Sequence, residues 1–412
     1  MTTLAVAGIS VRMVAEAAAA DGFEVIALDL FGDADTRRAS AQWRTIGTGE
    51  GLQIEGDRLL AALGELAQRG DVQGWIAGSG FDGRPDLLAR GAALMPLIGT
   101  QADAVRRVRD PQVFFGFLDE MRIAYPEVRM QAPHDAAGWL RKDSGACGGW
   151  HIRQAVALED AVDSPPDAPD KPLPPAPGSA RTDAQRYYQR QVGGMPMSAT
   201  FVANRRGAVV LGFNRLIVRR FGGHPYVYAG AIGPVGVPDR VTTEVNTAVQ
   251  ALVEAFSLQG LASLDFMLED DAISVLEVNP RPPASMSLYG RSAPDFKSRG
   301  IVNAHIEACV DGALTLASQT ATGAAAARAV HGSDIVFARR RMALDDAAAA
   351  RLASWPHCHD LPNAAATFQA GDPVCSVSAT VEDSHADSAA DHVQALLTER
   401  RQALQQFLER LP

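Results

Sequence analysis

Lysine is almost missing from this chain. Only Lys142, Lys171 and Lys297 occur in 412 residues, and the rest of the basic charge is arginine. Acidic residues outnumber basic ones, 48 to 38, for a formal net charge of −10. That balance excludes a broad nucleic-acid interface, which needs basic surface to neutralise phosphates. A small anionic ligand remains open, because one local arginine cluster suffices for it. Cysteine is scarce too: Cys147, Cys309, Cys358 and Cys375 are far apart and form no C-x-x-C pair. This spacing argues against a disulfide framework and for reduced thiols in a cytoplasmic protein. No run approaches the roughly 20 apolar residues needed to cross a bilayer. The opening MTTLAVAGIS lacks a basic segment and reads as a first strand, not a signal peptide. The turn after that strand, Gly8-Ile9-Ser10, holds one glycine, so the G-x-G-x-x-G dinucleotide fingerprint is missing.

What is present reads as alternating strand and helix at the N-terminus. Leu4–Ala7, a helix over 11–20 and a strand over 24–28 give a β–α–β order, which predicts a parallel sheet with a right-handed crossover. The run DLFGDADTRR, residues 29–38, follows the second strand, where such folds place ligands; a solvated, well-capped loop is the alternative. Apolar runs at 74–77 and 95–99 predict two further buried strands, and helices are expected over 101–109 and 112–122. Residues 163–178, DSPPDAPDKPLPPAPG, are proline-rich and predict an exposed loop. Strands are predicted over 186–192, 198–203 and 208–216, a long amphipathic helix over 241–258, and a hairpin of 261–268 with 273–278. The tail from about 331 reads as a small α/β appendage ending in a charged helix over 388–410.

Three constellations carry chemistry. The first is the hairpin LASLDFMLEDDAISVLEVNPRPP. Glu277 and Asn279 are two apart, so they share a face of an extended strand, and a four-residue turn centred near Asp271 brings Asp265 beside Glu277. Two carboxylates and an amide oxygen make a hard oxygen site of the kind Mg²⁺ prefers. Arg281, just past the strand, offers a fork to a phosphate or an oxyanion. The second is WLRKDSGACGGWHIR, in which a strand ends at Lys142 and Gly145, Gly148 and Gly149 let backbone N–H groups approach phosphates. No G-K-[ST] follows, so it is no Walker A loop. The third is YYQRQVGG, where Gln189, Gln191 and Val192 end a strand whose edge suits adenine; a plain hairpin connection is the alternative. Two lesser clusters are Arg215, Arg219, Arg220 and His224, read as an anion grip or as surface charge, and Pro356-His-Cys-His-Asp360, whose adjacent ligands cannot all face one ion.

In this order the three constellations resemble the ATP-grasp superfamily, and V-L-E-V-N-P-R-P is similar to the metal hairpin of biotin carboxylase and carbamoyl-phosphate synthetase. The resemblance covers about residues 1–310. It implies an α/β and α+β protein: a Rossmann-like domain at 1–100, a two-lobed ATP-grasp domain at 101–310 with a lid lobe at about 130–215 and the metal hairpin at 261–283, and a small C-terminal domain at 311–412. It implies ATP and Mg²⁺ or Mn²⁺ as cofactors. Lys142, Gly145, Gly148, Gly149 and Arg215 would meet the nucleotide, and Gln189, Gln191 and Val192 would frame its adenine. Asp265, Glu277 and Asn279 would hold the metal, with Arg281 and Lys142 catalytic. Two departures stand out. Arg109 occupies the region where a second phosphate-binding lysine is usual, and Gln189 stands where a glutamate is common. The implied activity is an ADP-forming ligase that activates a carboxylate as acyl-phosphate and joins it to an amine. A fainter resemblance to tyramine–glutamate ligases of C1-coenzyme assembly points to amino-acid ligation. Bicarbonate activation and a non-catalytic ATP-binding scaffold are the alternatives. The expected partners are small-molecule carboxylates and amines, with a homodimer as the assembly and neither nucleic acid nor membrane.

Overall fold

The computed structural model describes residues 2–48, 52–156, 186–289, 300–314, 329–382 and 386–411. The proline-rich stretch 163–178 lies outside them. The N-terminal strands are β1 (Thr3–Ala7), β2 (Glu24–Asp29), β3 (Gln42–Thr45) and β4 (Val72–Ala77), all parallel, in the order β3-β2-β1-β4. Leu4, Val6, Ile26 and Leu28 are fully buried, as strands covered on both faces require. The helices here are α1 (Arg12–Ala20), α2 (Ala34–Arg38), α3 (Gly56–Arg69) and α4 (Pro85–Leu94), followed by α5 (Ala102–Arg109) and α6 (Pro111–Glu120). Asp110 ends α5 and caps α6, its carboxylate accepting from the N–H groups of Gln112 and Val113.

Two expectations fail here. Residues 95–99 form no strand: a lone bridge joins Leu97 to Trp75, because Pro96 has no N–H to extend the ladder. Residues 34–38 are a short helix instead of loop, its first turn held by neighbouring segments.

A small antiparallel sheet follows: β5 (Val128–Arg129), β6 (Trp139–Asp143), β7 (Arg153–Gln154) and β8 (Arg186–Arg190), in the order β5-β8-β6-β7. The largest sheet contains β9 (Met195–Asn204), β10 (Ala208–Phe221), β11 (His224–Val235), β12 (Gln259–Glu269) and β13 (Ala272–Asn279). Helix α7 (Asp239–Phe256) buries Val241, Val245, Val249 and Val253 against it. Helix α8 is Ile301–Val310. Beyond it, β14 (Val330–Phe337) pairs with β11, so the tail extends this sheet. Strands β15 (Met342–Leu344) and β17 (Ala366–Phe368) pair apart. Helix α9 (Asp346–Ala353) precedes β16 (Cys358–His359), and β16 pairs with β18 (Pro373–Val381). The full order is β13-β12-β9-β10-β11-β14-β18-β16. The closing helix α10 (Ala386–Leu408) lies on β14 and β18.

The N-terminal sheet and the large sheet are joined through buried polar contacts. His305 on α8 accepts from the Leu261 N–H at 2.8 Å through Nδ1, and its Nε2 meets the Ile98 carbonyl at 3.0 Å. Burial holds its pKa down at about 4, so the ring is neutral and Nε2–H donates. Asp21 accepts from the N–H groups of Val302 and Asn303 at the start of α8. These contacts fix α8, and through it β12, against the N-terminal region. Among the described residues no helix is long and apolar enough to cross a membrane.

Candidate active site

The β12–β13 hairpin turns on two residues, Asp270 and Asp271, with φ of +46° and +63°, not on the four-residue turn expected. The register then pairs Asp265 with Glu277 and Ser263 with Asn279. A register shift between Asp265 and Phe266 lets Phe266, Val275 and Val278 stay in the core while the polar residues face a cleft. Asn279 donates from Nδ2 to Asp265 at 3.0 Å and to Ser263 at 3.3 Å, and its oxygen accepts from Arg281 at 3.3 Å. The two carboxylates therefore converge as expected, whereas Asn279 bridges Asp265 to Arg281, and its service as an oxygen ligand requires its amide to turn. The all-oxygen donor set of Asp265 and Glu277 fits a hard divalent cation. Burial and the facing Glu277 push the Asp265 carboxyl up to about 7, which a cation between them would reverse. For Glu277, burial opposes the charge, but Arg109, Lys142 and His151 outweigh it and hold the pKa below its ordinary value.

Arg109 is the structural key to the glycine-rich loop. From the end of α5 it donates to Glu277 at 2.9 Å, to the Ser144 carbonyl at 3.0 Å and to the Ala146 carbonyl at 2.9 Å. One guanidinium thus ties the β12–β13 hairpin to residues 143–149. The loop is docked on both sides. Gly149, at φ +79°, lies so close to β11 that a Cβ there would meet the Tyr226 carbonyl oxygen at 1.9 Å. The Gly148 carbonyl accepts from the Tyr228 N–H at 3.0 Å, and Gly145 packs directly on Gly83 of the N-terminal region.

Lys142 and Gln189 are neighbours across β6 and β8, and the Lys142 ammonium donates to the Gln189 oxygen at 2.6 Å. Burial lowers the lysine's pKa, Glu277 opposing. The Gln189 Nε2 and the His151 Nδ1 are buried without a partner among the described residues, so both can serve a ligand. Strand β8 ends at Arg190, leaving Gln191 and Val192 in the connection to β9; both line the cleft, and Gln191 donates to the Tyr226 hydroxyl at 2.6 Å.

Arg215 is a correction. It points away from the cleft and pairs with Asp391 on α10 at 3.0 Å, because the hairpin of β10 and β11 sends alternate side chains to opposite faces. Arg219 shares that outer face, bound to the buried Asp334, while Arg220 and His224 line the cleft. Two residues went unnoticed in the sequence. Asp82, in GSGFDG beyond β4, accepts from Arg281 Nε at 3.1 Å on both oxygens, and is held ionised because Arg281 and Arg109 outweigh its burial. An aspartate flanked by glycines past a strand end was the available signal. His151 lies within the glycine-rich segment, its pKa lowered by burial to about 4. The segment 357–360 brings His359 near Glu16 and Asp35, but Arg12 already supplies the cation there, bonding Glu16 and Asp360.

Lys142, His151, Gln189, Gln191, Val192, Asp265, Glu277, Asn279 and Arg281 border one cleft of about 3430 Å³, walled by the N-terminal loops, the small sheet, the large sheet and the C-terminal segment. Residues 114–285 match the ATP-grasp domain family. The carbamoyl phosphate synthase large chain of Myxococcus xanthus is 24% identical over 215 residues, 48% of this chain and 18% of that one. An uncharacterised protein of Methanocaldococcus jannaschii is 23% identical over 46% of this chain and 41% of its own. The chain thus spans less than half the length of the curated relatives it matches. Among solved structures, the N5-carboxyaminoimidazole synthase of Aspergillus clavatus with ADP and its ribonucleotide superposes with TM-score 0.64 at 16% identity, covering 98% of this chain and 99% of that one. An L-amino acid ligase of Bacillus licheniformis gives 0.64 at 11%, covering 97% of each chain. The biotin carboxylase domain of a single-chain bacterial carboxylase gives 0.64 at 15%, covering 93% and 86%. Residues 114–285 thus match the ATP-grasp domain, and the fold of the chain is that of the ATP-grasp enzymes it superposes on.

Proposed function

We propose that the chain is an ADP-forming ligase: it binds ATP between the small and large sheets, transfers the terminal phosphoryl group to a carboxylate, and joins the resulting acyl-phosphate to an amine. The observation that carries this reading is the convergence of Asp265, Glu277, Arg281 and Lys142 on one cleft, each held by a partner from another segment. Mg²⁺ held by Asp265 and Glu277 would neutralise charge on the phosphoryl group in transfer. Lys142 sets a buried positive charge beside the nucleotide. The free Nε2 of Gln189 faces the adenine side with Val192 and Gln191. Arg281, its Nε pinned by Asp82, keeps other donors for the carboxylate oxygens and the tetrahedral oxyanion. The glycine-rich loop excludes water over the phosphates.

The test is ADP release measured against a panel of carboxylates and primary amines, with mass detection of product. ADP release that requires both co-substrates supports ligation; none with any pair favours a non-catalytic ATP-binding protein. Bicarbonate in place of the carboxylate is a second reading, favoured by the superposition on the N5-carboxyaminoimidazole synthase and biotin carboxylase folds. Bicarbonate-dependent ADP release without an organic carboxylate would select it.

A further inference from the structure

The β2–α2 connection forms part of the cleft wall through Leu30, Phe31 and Asp33, and nearly every acid around it is already committed. Asp29 accepts from the Gly32 N–H at 2.9 Å and the Trp43 indole at 2.7 Å. Asp35 accepts from the Asp360 and Leu361 N–H groups. Asp360 is bound by Arg12 and Ser376. Arg37 is engaged as well, donating to the Gly32 carbonyl and stacked 3.9 Å over Trp43.

Asp33 is the exception. It occupies the N-cap of α2, yet its side chain makes no capping hydrogen bond, and only its backbone carbonyl serves the helix, accepting from the Arg37 N–H. An N-cap aspartate ordinarily folds back onto the helix N–H groups. Here the residue is 9% exposed, borders the cleft, and has no side-chain hydrogen-bond or ion-pair partner among the described residues. A carboxyl removed from water without a partner is costly, so such a group marks a place where a ligand completes the pairing. The sign of that ligand follows from the surroundings. Asp29, Asp33, Asp35, Asp360 and Glu16 face Arg12 and Arg37, an excess of acid that repels carboxylates and favours a cation.

We propose that Asp33 binds a cationic nitrogen of the amine co-substrate, placing the amine's recognition site on the β2–α2 loop. The site takes primary ammonium compounds and rejects carboxylates of the same skeleton. It rests on the ligase reading for the identity of its ligand as a co-substrate, though not for its existence. Burial and the neighbouring Asp360, Asp29 and Asp35 raise the pKa of the free carboxyl to about 8, consistent with a group whose charge is completed by a ligand.

The test uses the full chain, Asp33→Asn and Asp33→Glu, with methylamine, putrescine and L-lysine as probes and glutarate as the acidic control. In the ADP-release assay, Asp33→Asn is expected to raise the half-saturating amine concentration at least about tenfold, with ATP half-saturation within about twofold and partial recovery in Asp33→Glu. Unchanged amine dependence, while the wild type turns over, would overturn the site and leave the ligase reading standing. If no pair supports turnover, calorimetric titration of the same amines into the ADP-loaded protein decides. Binding lost in Asp33→Asn supports the site and sinks the ligase reading; equal binding in both proteins, tighter binding of glutarate, or no amine binding at millimolar concentration overturns the site. Melting of Asp33→Asn at or above the wild-type temperature fits an unpartnered carboxyl, and a clear fall would make Asp33 a structural residue.

Discussion

Replacing Arg109 by methionine removes a guanidinium of similar reach whose side chain is only 8% exposed and which joins three segments at once. The loss has two parts. Glu277 keeps Lys142 and His151 nearby but loses its direct partner, and breaking a buried ion pair from one side costs about 3–5 kcal/mol. The Ser144 and Ala146 carbonyls also lose charged donors, worth about 1.5–3 kcal/mol each if they stay dry, and less where the loop lifts and water replaces them. We expect about 3–5 kcal/mol of destabilisation, with residues 143–149 losing protection from hydrogen exchange. The distinguishing measurement is a double-mutant cycle with Glu277→Gln, followed by chemical denaturation. If the cost lies in an abandoned buried carboxylate, the double variant recovers about 2 kcal/mol relative to additivity. The effect also has a direction in pH. Glu277 has a depressed folded pKa, so its contribution is present above its unfolded value of 4.5 and fades as pH falls below it. The gap between wild type and Arg109→Met should narrow in acid. Additivity within about 0.5 kcal/mol, or a gap independent of pH, would refute the reasoning.

Glu277→Gln should lower ATP turnover by at least about 100-fold, about 2.7 kcal/mol of barrier, with the circular dichroism spectrum unchanged; turnover within about tenfold of wild type would remove Glu277 from the metal site. Arg281→Lys keeps the charge but loses the planar fork that reaches Asp82 and Asn279 together, so ATP affinity by calorimetry should stay near normal while turnover falls about 100-fold; equal losses in both would make Arg281 a ground-state contact. Gly149→Ala forces a Cβ into the Tyr226 carbonyl and should undock the loop, seen as new protease cleavage within 143–149 and a rise in half-saturating ATP; an unchanged cleavage pattern would count against the docked position. Asp33→Asn should gain on the wild type as pH rises. The Asp33 carboxyl, removed from water and faced by Asp360, Asp29 and Asp35, has a raised folded pKa that Arg12 only partly offsets, so its stabilisation is full below the unfolded value and is lost as pH climbs toward 8. The expected difference is about 1–3 kcal/mol at pH 8 and little at pH 5, read by thermal melting; a flat difference would mean the carboxyl is not charging within the fold.

The sequence by itself determined the parts whose signal is local. The β–α–β opening follows from apolar runs and one short turn, and the pairing of Asp265 with Glu277 follows from the strand period and a tight turn, even though that turn holds two residues and not four. Lys142 stood out because lysine is scarce and this one leads into a glycine-rich loop, and Gln189 because it lies at the end of a strand before Gly193-Gly194. What only the tertiary structure decided depends on residues far apart in the chain. Arg109 stands 168 positions from Glu277, and Asp82 stands 199 from Arg281; no periodicity encodes such pairs. The face of Arg215 was set by Asp391 on a helix nearly two hundred residues later, and strand alternation alone gave two possible sides without saying which one bordered the cleft. The tail read as an appendage, yet β14 finds its partner in β11, since an edge strand of a large sheet offers unpaired backbone groups that the next strand can satisfy. Asp33 is the sharpest case. In sequence it is one acid of a polar loop, and only the fold, by burying it with no donor among the described residues, turns it into a question about a ligand.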